Sequence, residues 1–398
     1  MERFDLYNND QHIASFTHER TLLGDVYSNI TVYVQEQLPA RLRDNCTNEG
    51  FREWIDRRSV PVNRHHMEAM LGALNLEKPF DLMRYSHALS LNDTFWIKEE
   101  SEQLDFSAIN LYDNKFDEAL GWIAFTGLPS DISRNLSTPE LTTEGMLPKY
   151  WQRIGINDIV LCKGGTSGYS NAGYEPYCEV AAHIVAKRLN IDTIPYHLEK
   201  RNGKIVSVSK LFTTKETGLL TASEYIDNKF PARVSKYLDE VIDAMKKDNI
   251  DLYPFFEMCL LDYIIENFDR HLNNWGFSVD NKRQQIIGLA PIWDNGMSLD
   301  YNKPADMRAK FDFASFHLAY DFIKDCEYTD IFKQKANKLL VDIRSGILYN
   351  EIRNAVIEYY PSVENVKSTV DFVEERCLAF LEPLPPISNR VISTDPYK

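Results

Sequence analysis

The sequence predicts an α+β fold of two lobes, a small one on a mixed or antiparallel sheet and a larger helical one. Three observations predict it. Residues 1 to about 40 alternate apolar and polar residues, the period-2 pattern of half-buried strands, and short strand-like runs recur at 158–163, 194–198 and 205–211. From about residue 216, apolar residues recur at three- and four-residue spacing, as on amphipathic helices. Within that helical half, residues 275–289 read as a single hairpin. The division expected is an N-terminal subdomain at 1–130 packed on the small lobe, the small lobe at 131–215 and the helical lobe at 216–398.

Residues 1 to about 40 read as strands, as in Ile30-Thr31-Val32-Tyr33-Val34. A locally basic stretch follows with Arg41, Arg43, Arg52, Arg57, Arg58 and Arg64. It could dock an acidic partner or nucleic acid, but interleaved Glu49, Glu53 and Asp56 favour a solvated helix face. His65-His66 is a poor metal motif, because neighbouring side chains on a helix point about 100° apart. From Arg64 to Leu76 the spacing is helical, with Met67, Met70, Leu71 and Leu74 as a core stripe. Leu89 to Ile97 reads as a turn into a strand. Pro129, Pro139 and Pro148 mark a loop-rich connection. Within it, Leu141–Lys149 could be a hairpin whose Thr143 hydroxyl and Gly145 backbone cover phosphates, or an ordinary turn.

Asp158–Lys163 is a short strand ending in lysine. Lys163 could pair with phosphates if a carboxylate held it, or be a plain solvent-exposed strand end. Gly164–Gly173 is glycine-rich and carries Ser167 and Ser170. It reads as a lid, a self-phosphorylated segment or, more simply, a flexible connection. The next helix is expected at Glu179–Leu189, with Glu179 in its first turn, where the dipole stabilises a carboxylate by ~0.3–1 kcal/mol. Glu175 would stand just outside. Ile194–Leu198 and Ile205–Leu211 are strands around a turn at Arg201-Asn202-Gly203.

The helices expected next are 221–228, 231–246 and 251–267, then several between 312 and 382, including Ile343–Tyr359 and Val366–Phe380. The Glu382-Pro383-Leu384-Pro385-Pro386 tail is extended. The apolar 255–265 segment switches abruptly to Glu266-Asn267-Phe268-Asp269-Arg270-His271. The hairpin that follows delivers Trp293-Asp294-Asn295-Gly296. Such an order suits phosphoryl transfer. Asp269 can orient a hydroxyl and accept its proton, while the Asn274 amide oxygen and Asp294 can bind magnesium, which needs few protein oxygens beside phosphates and water. Gly296 would allow a sharp turn there. The bland alternative is an Asn-rich surface turn with Asp269 as a local cap.

Asp-Arg-His-x-x-Asn, a hairpin and Leu-Ala-Pro-x-x-Asp together resemble the core of the HipA-like serine/threonine kinases. The resemblance covers roughly residues 140–380 and is strongest at 262–296. It implies a two-lobed, protein-kinase-like fold using ATP and Mg²⁺, with Asp269 as catalytic base and Asn274 and Asp294 as metal ligands. It further implies that His271 and Arg270 hold the loop and that Lys163 is paired with Glu179, Glu175 being the runner-up. Ser209–Thr213, with Lys210 and Phe212, would fall at the nucleotide-binding hinge. The clearest departure is the lack of a Gly-x-Gly-x-x-Gly loop. Family members act on proteins, including translation components, as toxins paired with helix-turn-helix antitoxins or as kinases delivered to a host. Two other readings stand beside this one: a silent, nucleotide-binding pseudokinase and a phosphoinositide-type lipid kinase, whose motif is similar.

A net charge of −15 argues against a general nucleic-acid or anionic-membrane binder. The six dispersed cysteines form no C-x-x-C pair and read as reduced core thiols. With no signal-like N-terminus and no apolar run of transmembrane length, the expectation is a cytoplasmic chain.

Overall fold

Strand β1 (Glu2–Asn8), β2 (Gln11–Thr21), β3 (Gly24–Val32) and β4 (Phe95–Glu99) form an antiparallel sheet in the order β3-β2-β1-β4. Phe4, Leu6, Ile13 and Phe16 point to one side, where Leu38, Leu42, Phe51 and Phe80 seal a core. The computed structural model describes residues 1–58, 66–76, 79–130, 138–143, 147–155, 158–166, 173–229, 238–299 and 314–382. Strand character ends at Val32. Beyond it lie a 3₁₀ turn, Gln35–Gln37, and a short helix, Ala40–Asp44, because Pro39 lacks the N–H that a strand ladder would need.

The second sheet contains β5 (Lys149–Arg153), β6 (Ile159–Gly164), β7 (Tyr196–Arg201) and β8 (Lys204–Lys210), in the antiparallel order β5-β6-β8-β7. Its β7–β8 turn is Asn202-Gly203, with φ of 50° and 77°, the left-handed pair that suits a two-residue hairpin. No strand precedes β5 at 141–143 or 147–148. A 3₁₀ turn, Pro139–Leu141, ends at the first residue of the expected Leu141–Lys149 hairpin, and that hairpin's middle, residues 144–146 with Gly145, lies outside the described residues.

The helix packed on β7 and β8 runs from Glu175 to Arg188. It starts earlier than the apolar spacing predicted, because Pro176 suits a first helical turn. Glu175 is therefore the first-turn carboxylate, and Glu179 sits one turn further in. Ser167 and Ser170, Arg64-His65 and the proline tail lie outside the described residues.

In the third sheet, β9 (Thr217–Thr221), β10 (Gly276–Asp280) and β11 (Gln285–Leu289) run antiparallel in the order β11-β10-β9. The hairpin read from the sequence is there, joined by a strand from before the central helix. That helix, Tyr253–Ile265, is buried on every side, as its apolar composition requires. Helices Ala314–Lys324 and Val363–Leu381 pack against it. The expected Ile343–Tyr359 helix is two helices, Thr329–Arg344 and Ile347–Val356, because Gly346 takes φ 76° between them. Among the described residues, no helix is long and apolar enough to cross a membrane.

Phe277 of β10 is fully buried, its ring centroid 4.7 Å from Tyr225 and 5.8 Å from Trp275. Truncation to alanine leaves a cavity beneath the hairpin. Phe277→Ala is expected to lower unfolding free energy by about 3–5 kcal/mol, read from urea midpoints at constant slope.

Candidate active site

Between the second and third sheets opens a cavity of ≈ 1190 Å³. Lys163, at the end of β6, reaches it from the strand side. Its buried Nζ lies 3.1 Å from Glu179 Oε1 and 3.1 Å from Asp294 Oδ1. Burial alone would lower the lysine pKa, but the Asp294 and Glu179 charges outweigh it and hold it well above its ordinary value. Glu179 is fixed by a second contact, accepting from the Asn295 backbone N–H at 2.8 Å through Oε2. Burial pushes its carboxyl up, with Lys163 opposing. Glu175 does not reach Lys163 in this way; it accepts a hydrogen bond from the Thr166 hydroxyl.

Asp294 takes φ 59°, so the sharp turn is made by the aspartate itself. Gly296 serves a different need from the one expected. It has no left-handed φ, and a Cβ there would stand 3.3 Å from the Glu175 Cβ, tighter than ordinary packing. Burial would raise the Asp294 pKa, but Lys163 and Lys149 overcome it and bring the value to about 2.

On the other side, Asp269, His271 and Asn274 line the same cavity. Arg270 organises their loop from beneath. Its guanidinium is buried and grips Asp262 at 2.9 and 3.0 Å, donates to Asn274 O at 2.7 Å and to Trp293 O, and reaches Asn295 Oδ1 at 2.6 Å. One side chain therefore ties the 269–274 loop to the 293–295 turn. The Asp269 carbonyl accepts from His271 N and Asn274 Nδ2, both at 2.8 Å, leaving the Asn274 amide oxygen available. Its carboxylate is reachable from solvent. Partial desolvation and the nearby Asp294 charge raise its pKa, while His271 and Arg270 work against the shift.

The remaining expected residues are more scattered. The Thr143 hydroxyl donates to Pro139 O and accepts from Trp151 Nε1 at 2.9 Å, so it is committed to its own turn. Lys210 lines the cavity edge, but its Nζ turns to Asp158 at 2.9 Å and is largely exposed. The Phe212 ring stacks on Trp293 at 5.6 Å and walls the cavity. Sequence reasoning missed Lys149. This buried lysine pairs across β5–β6 with Lys163 and lines the cavity. Its signal was a lysine opening a strand directly after Pro148.

No family model matches the chain. It is 27% identical over 229 residues to the serine/threonine-protein kinase CtkA of Helicobacter pylori, a match covering 51% of this chain and 64% of that protein. The matched region therefore spans less than two thirds of that relative's length. A chain of the Shewanella oneidensis MR-1 complex of HipA, HipB and operator DNA superposes on 95% of this chain and 97% of its own length. The TM-score is 0.58 and the identity 12%. A crystal structure of Helicobacter pylori CtkA aligns with 58% of this chain and 91% of that one, at 22% identity and a TM-score of 0.38. The fold is the two-lobed architecture of the HipA-like kinases, as the Asp-Arg-His-x-x-Asn resemblance implied.

Because its folded-state pKa is depressed, Asp294 contributes stability above the ordinary carboxylate range and loses it as pH falls from about 4 toward about 2. Asp294→Asn is expected to be less stable than wild type near neutral pH by on the order of 1–2 kcal/mol. That difference should shrink on acidification below about pH 4, as followed by urea unfolding at stepped pH.

Proposed function

We propose that the protein is an ATP- and Mg²⁺-dependent serine/threonine protein kinase. The observation that carries this reading is the Lys163 amine held by both Glu179 and Asp294 in the wall of a cavity that Asp269 and Asn274 also line. The similarity to CtkA supports the same reaction class.

In this reading Lys163 exchanges part of its contact with Asp294 for the nucleotide's α/β-phosphates, and Glu179 keeps it in place. Lys149, its cross-strand neighbour, adds positive charge at the same end. Phe212 and Trp293 offer an apolar wall for the base, and the backbone around Lys210 and Phe212 forms the hinge. Asp269 orients the acceptor hydroxyl and takes its proton as the new O–P bond forms and the bond to the ADP oxygen breaks. A carboxyl held above its ordinary pKa is a better base than a free aspartate. His271 keeps the loop in shape through its backbone N–H on the Asp269 carbonyl.

The donor set fits magnesium. Asp294 supplies a carboxylate, and Asn274 supplies an amide oxygen, its nitrogen being engaged by Asp269 O. Those two groups would suffice to hold the ion, because phosphates and water would fill the remaining positions. When bound, the ion neutralises charge on the transferred phosphoryl group. The proposal extends to the division at 1–130, 131–215 and 216–398, a cytoplasmic location and a protein acceptor such as a translation component. A helix-turn-helix antitoxin belongs to it by analogy with the HipA–HipB complex.

Incubation with labelled ATP and Mg²⁺ followed by mass spectrometry is the direct test. Wild type is expected to place phosphate on serine or threonine, and Asp269→Asn to lose transfer by at least about a hundredfold with its unfolding curve unchanged. Turnover retained in that variant removes Asp269 from the mechanism. Asp294→Ala is expected to weaken Mg²⁺-dependent nucleotide binding, read by titration calorimetry, and unchanged affinity counts against a metal role.

A further inference from the structure

The loop between the helix Pro79–Tyr85 and β4 belongs to the N-terminal sheet, yet three of its carbonyls reach into the lobes that form the cavity. Leu89 O accepts the Thr142 hydroxyl at 2.7 Å, at the root of the connection into β5. Leu91 O accepts the Thr213 hydroxyl, on the segment that crosses from β8 to β9. Asn92 O accepts the Leu219 backbone N–H at 2.7 Å, within β9. Thr213 is buried, so its donor has no water to turn to if Leu91 O withdraws, while Thr142, also buried, keeps a longer contact to Pro139 O at 3.3 Å. Leu91, Asn92, Thr142, Thr213 and Leu219 all line the cavity. Gly218 makes the approach possible, because a Cβ there would stand 2.8 Å from Asn92 O.

Two side chains hold the loop itself, and one of them, Tyr112, donates its hydroxyl to Leu91 O at 3.1 Å and to Asp93 O at 3.3 Å. Arg58, at the end of the helix Asn48–Arg58, meets both Asp93 oxygens at 2.6 Å. It also donates to Ala88 O and to Phe95 O at 3.0 Å, so it closes the loop at both ends. The ion pair is shielded, with 9% and 19% of the two side chains exposed. His87 and Ala88 both take left-handed φ, 52° and 58°, a strained pair that the Arg58 contact to Ala88 O helps to hold.

We infer that the Leu89–Asp93 loop is a brace between the lobes, clamped by Arg58, that sets the crossing segment and the root of the β5 connection in position for nucleotide. The brace stands on its own geometry, whereas Arg58 as a positioning residue for the reaction rests on the kinase reading. Arg58 does not line the cavity; it acts through three backbone carbonyls. Since the braced segments carry the cavity wall, loosening them weakens nucleotide binding more than it slows the step at saturating ATP.

The test is hydrogen exchange on the full chain without nucleotide, comparing wild type with Arg58→Ala and with Thr213→Val, which keeps the side-chain shape and deletes one donor. Amides at 211–221 are expected to exchange faster by on the order of three- to tenfold, with the helix Thr329–Arg344 unchanged. With Mg²⁺-ATP, the KM for ATP should rise by a comparable factor while kcat stays within about twofold. Unchanged exchange at 211–221 in a folded variant overturns the brace. Acceleration across the whole chain, Thr329–Arg344 included, does the same, since it marks general destabilisation. Looser exchange at 211–221 with the KM for ATP unmoved overturns the positioning role. Thr213→Val decides the matter should Arg58→Ala not fold. A wild type that binds no nucleotide defeats the kinase reading, while the exchange comparison still decides the brace.

Discussion

A buried amine between two carboxylates constrains most of what surrounds it. Lys163 cannot be buried as a cation without partners, because the desolvation cost of an ammonium in the interior is several kcal/mol. Glu179 and Asp294 supply those partners from two different elements, the helix on the second sheet and the turn after β11. The strand, the helix and the turn must therefore be brought to one point. Where they meet, the two lobes face one another, and the cavity is the space left between them. The unequal carboxyls follow from the same contact. Asp294 has Lys149 as well as Lys163 nearby and stays ionised, whereas the more deeply buried Glu179 is pushed upward.

Arg270 plays the corresponding part in the helical lobe. Its five donors in a planar fork serve one carboxylate, two carbonyls and one amide oxygen, which a lysine could not do. Through it, the Asp269 loop and the Asp294 turn are parts of one network. Glu179 closes the network from the other side by accepting from Asn295 N–H. A shift in either lobe is therefore felt by Lys163, Asp294 and Asn274 together.

The N-terminal sheet and the turn and helix that follow it are coupled to the rest through polar contacts. Asn8 Nδ2 donates to Asn281 O at 2.9 Å, Gln37 Nε2 to Lys282 O at 2.7 Å, and Arg41 pairs with Asp227 at 3.1 Å. The arginines at 41, 57 and 58, which read as a solvated helix face, divide by environment. Arg57 pairs with Asp227 at 2.7 Å on a half-exposed surface, while Arg58 is shielded at Asp93. Local sequence could not separate them, because both belong to the same alternating charge pattern.

By itself the sequence determined the α+β order, the β7–β8 and β10–β11 hairpins and the buried central helix, and it singled out Asp269, Asn274, Asp294 and Lys163, which the fold brings to one cavity. These are written in local periodicity, turn residues and short spacings, which act over a few neighbours along the chain. Only the tertiary structure decided which carboxylate holds Lys163. Glu175 and Glu179 lie one turn apart, and Pro176 moved the helix start so that the one further in faces β6. Only the fold paired β9 with the hairpin, set Lys149 opposite Lys163, and turned Lys210 and the Thr143 hydroxyl away to partners of their own. The sharp turn at Asp294 and the close packing at Gly296 were likewise exchanged relative to what residue type alone implied. Each of these outcomes depends on contacts between residues far apart in sequence, where burial and charge pairing outweigh local preference.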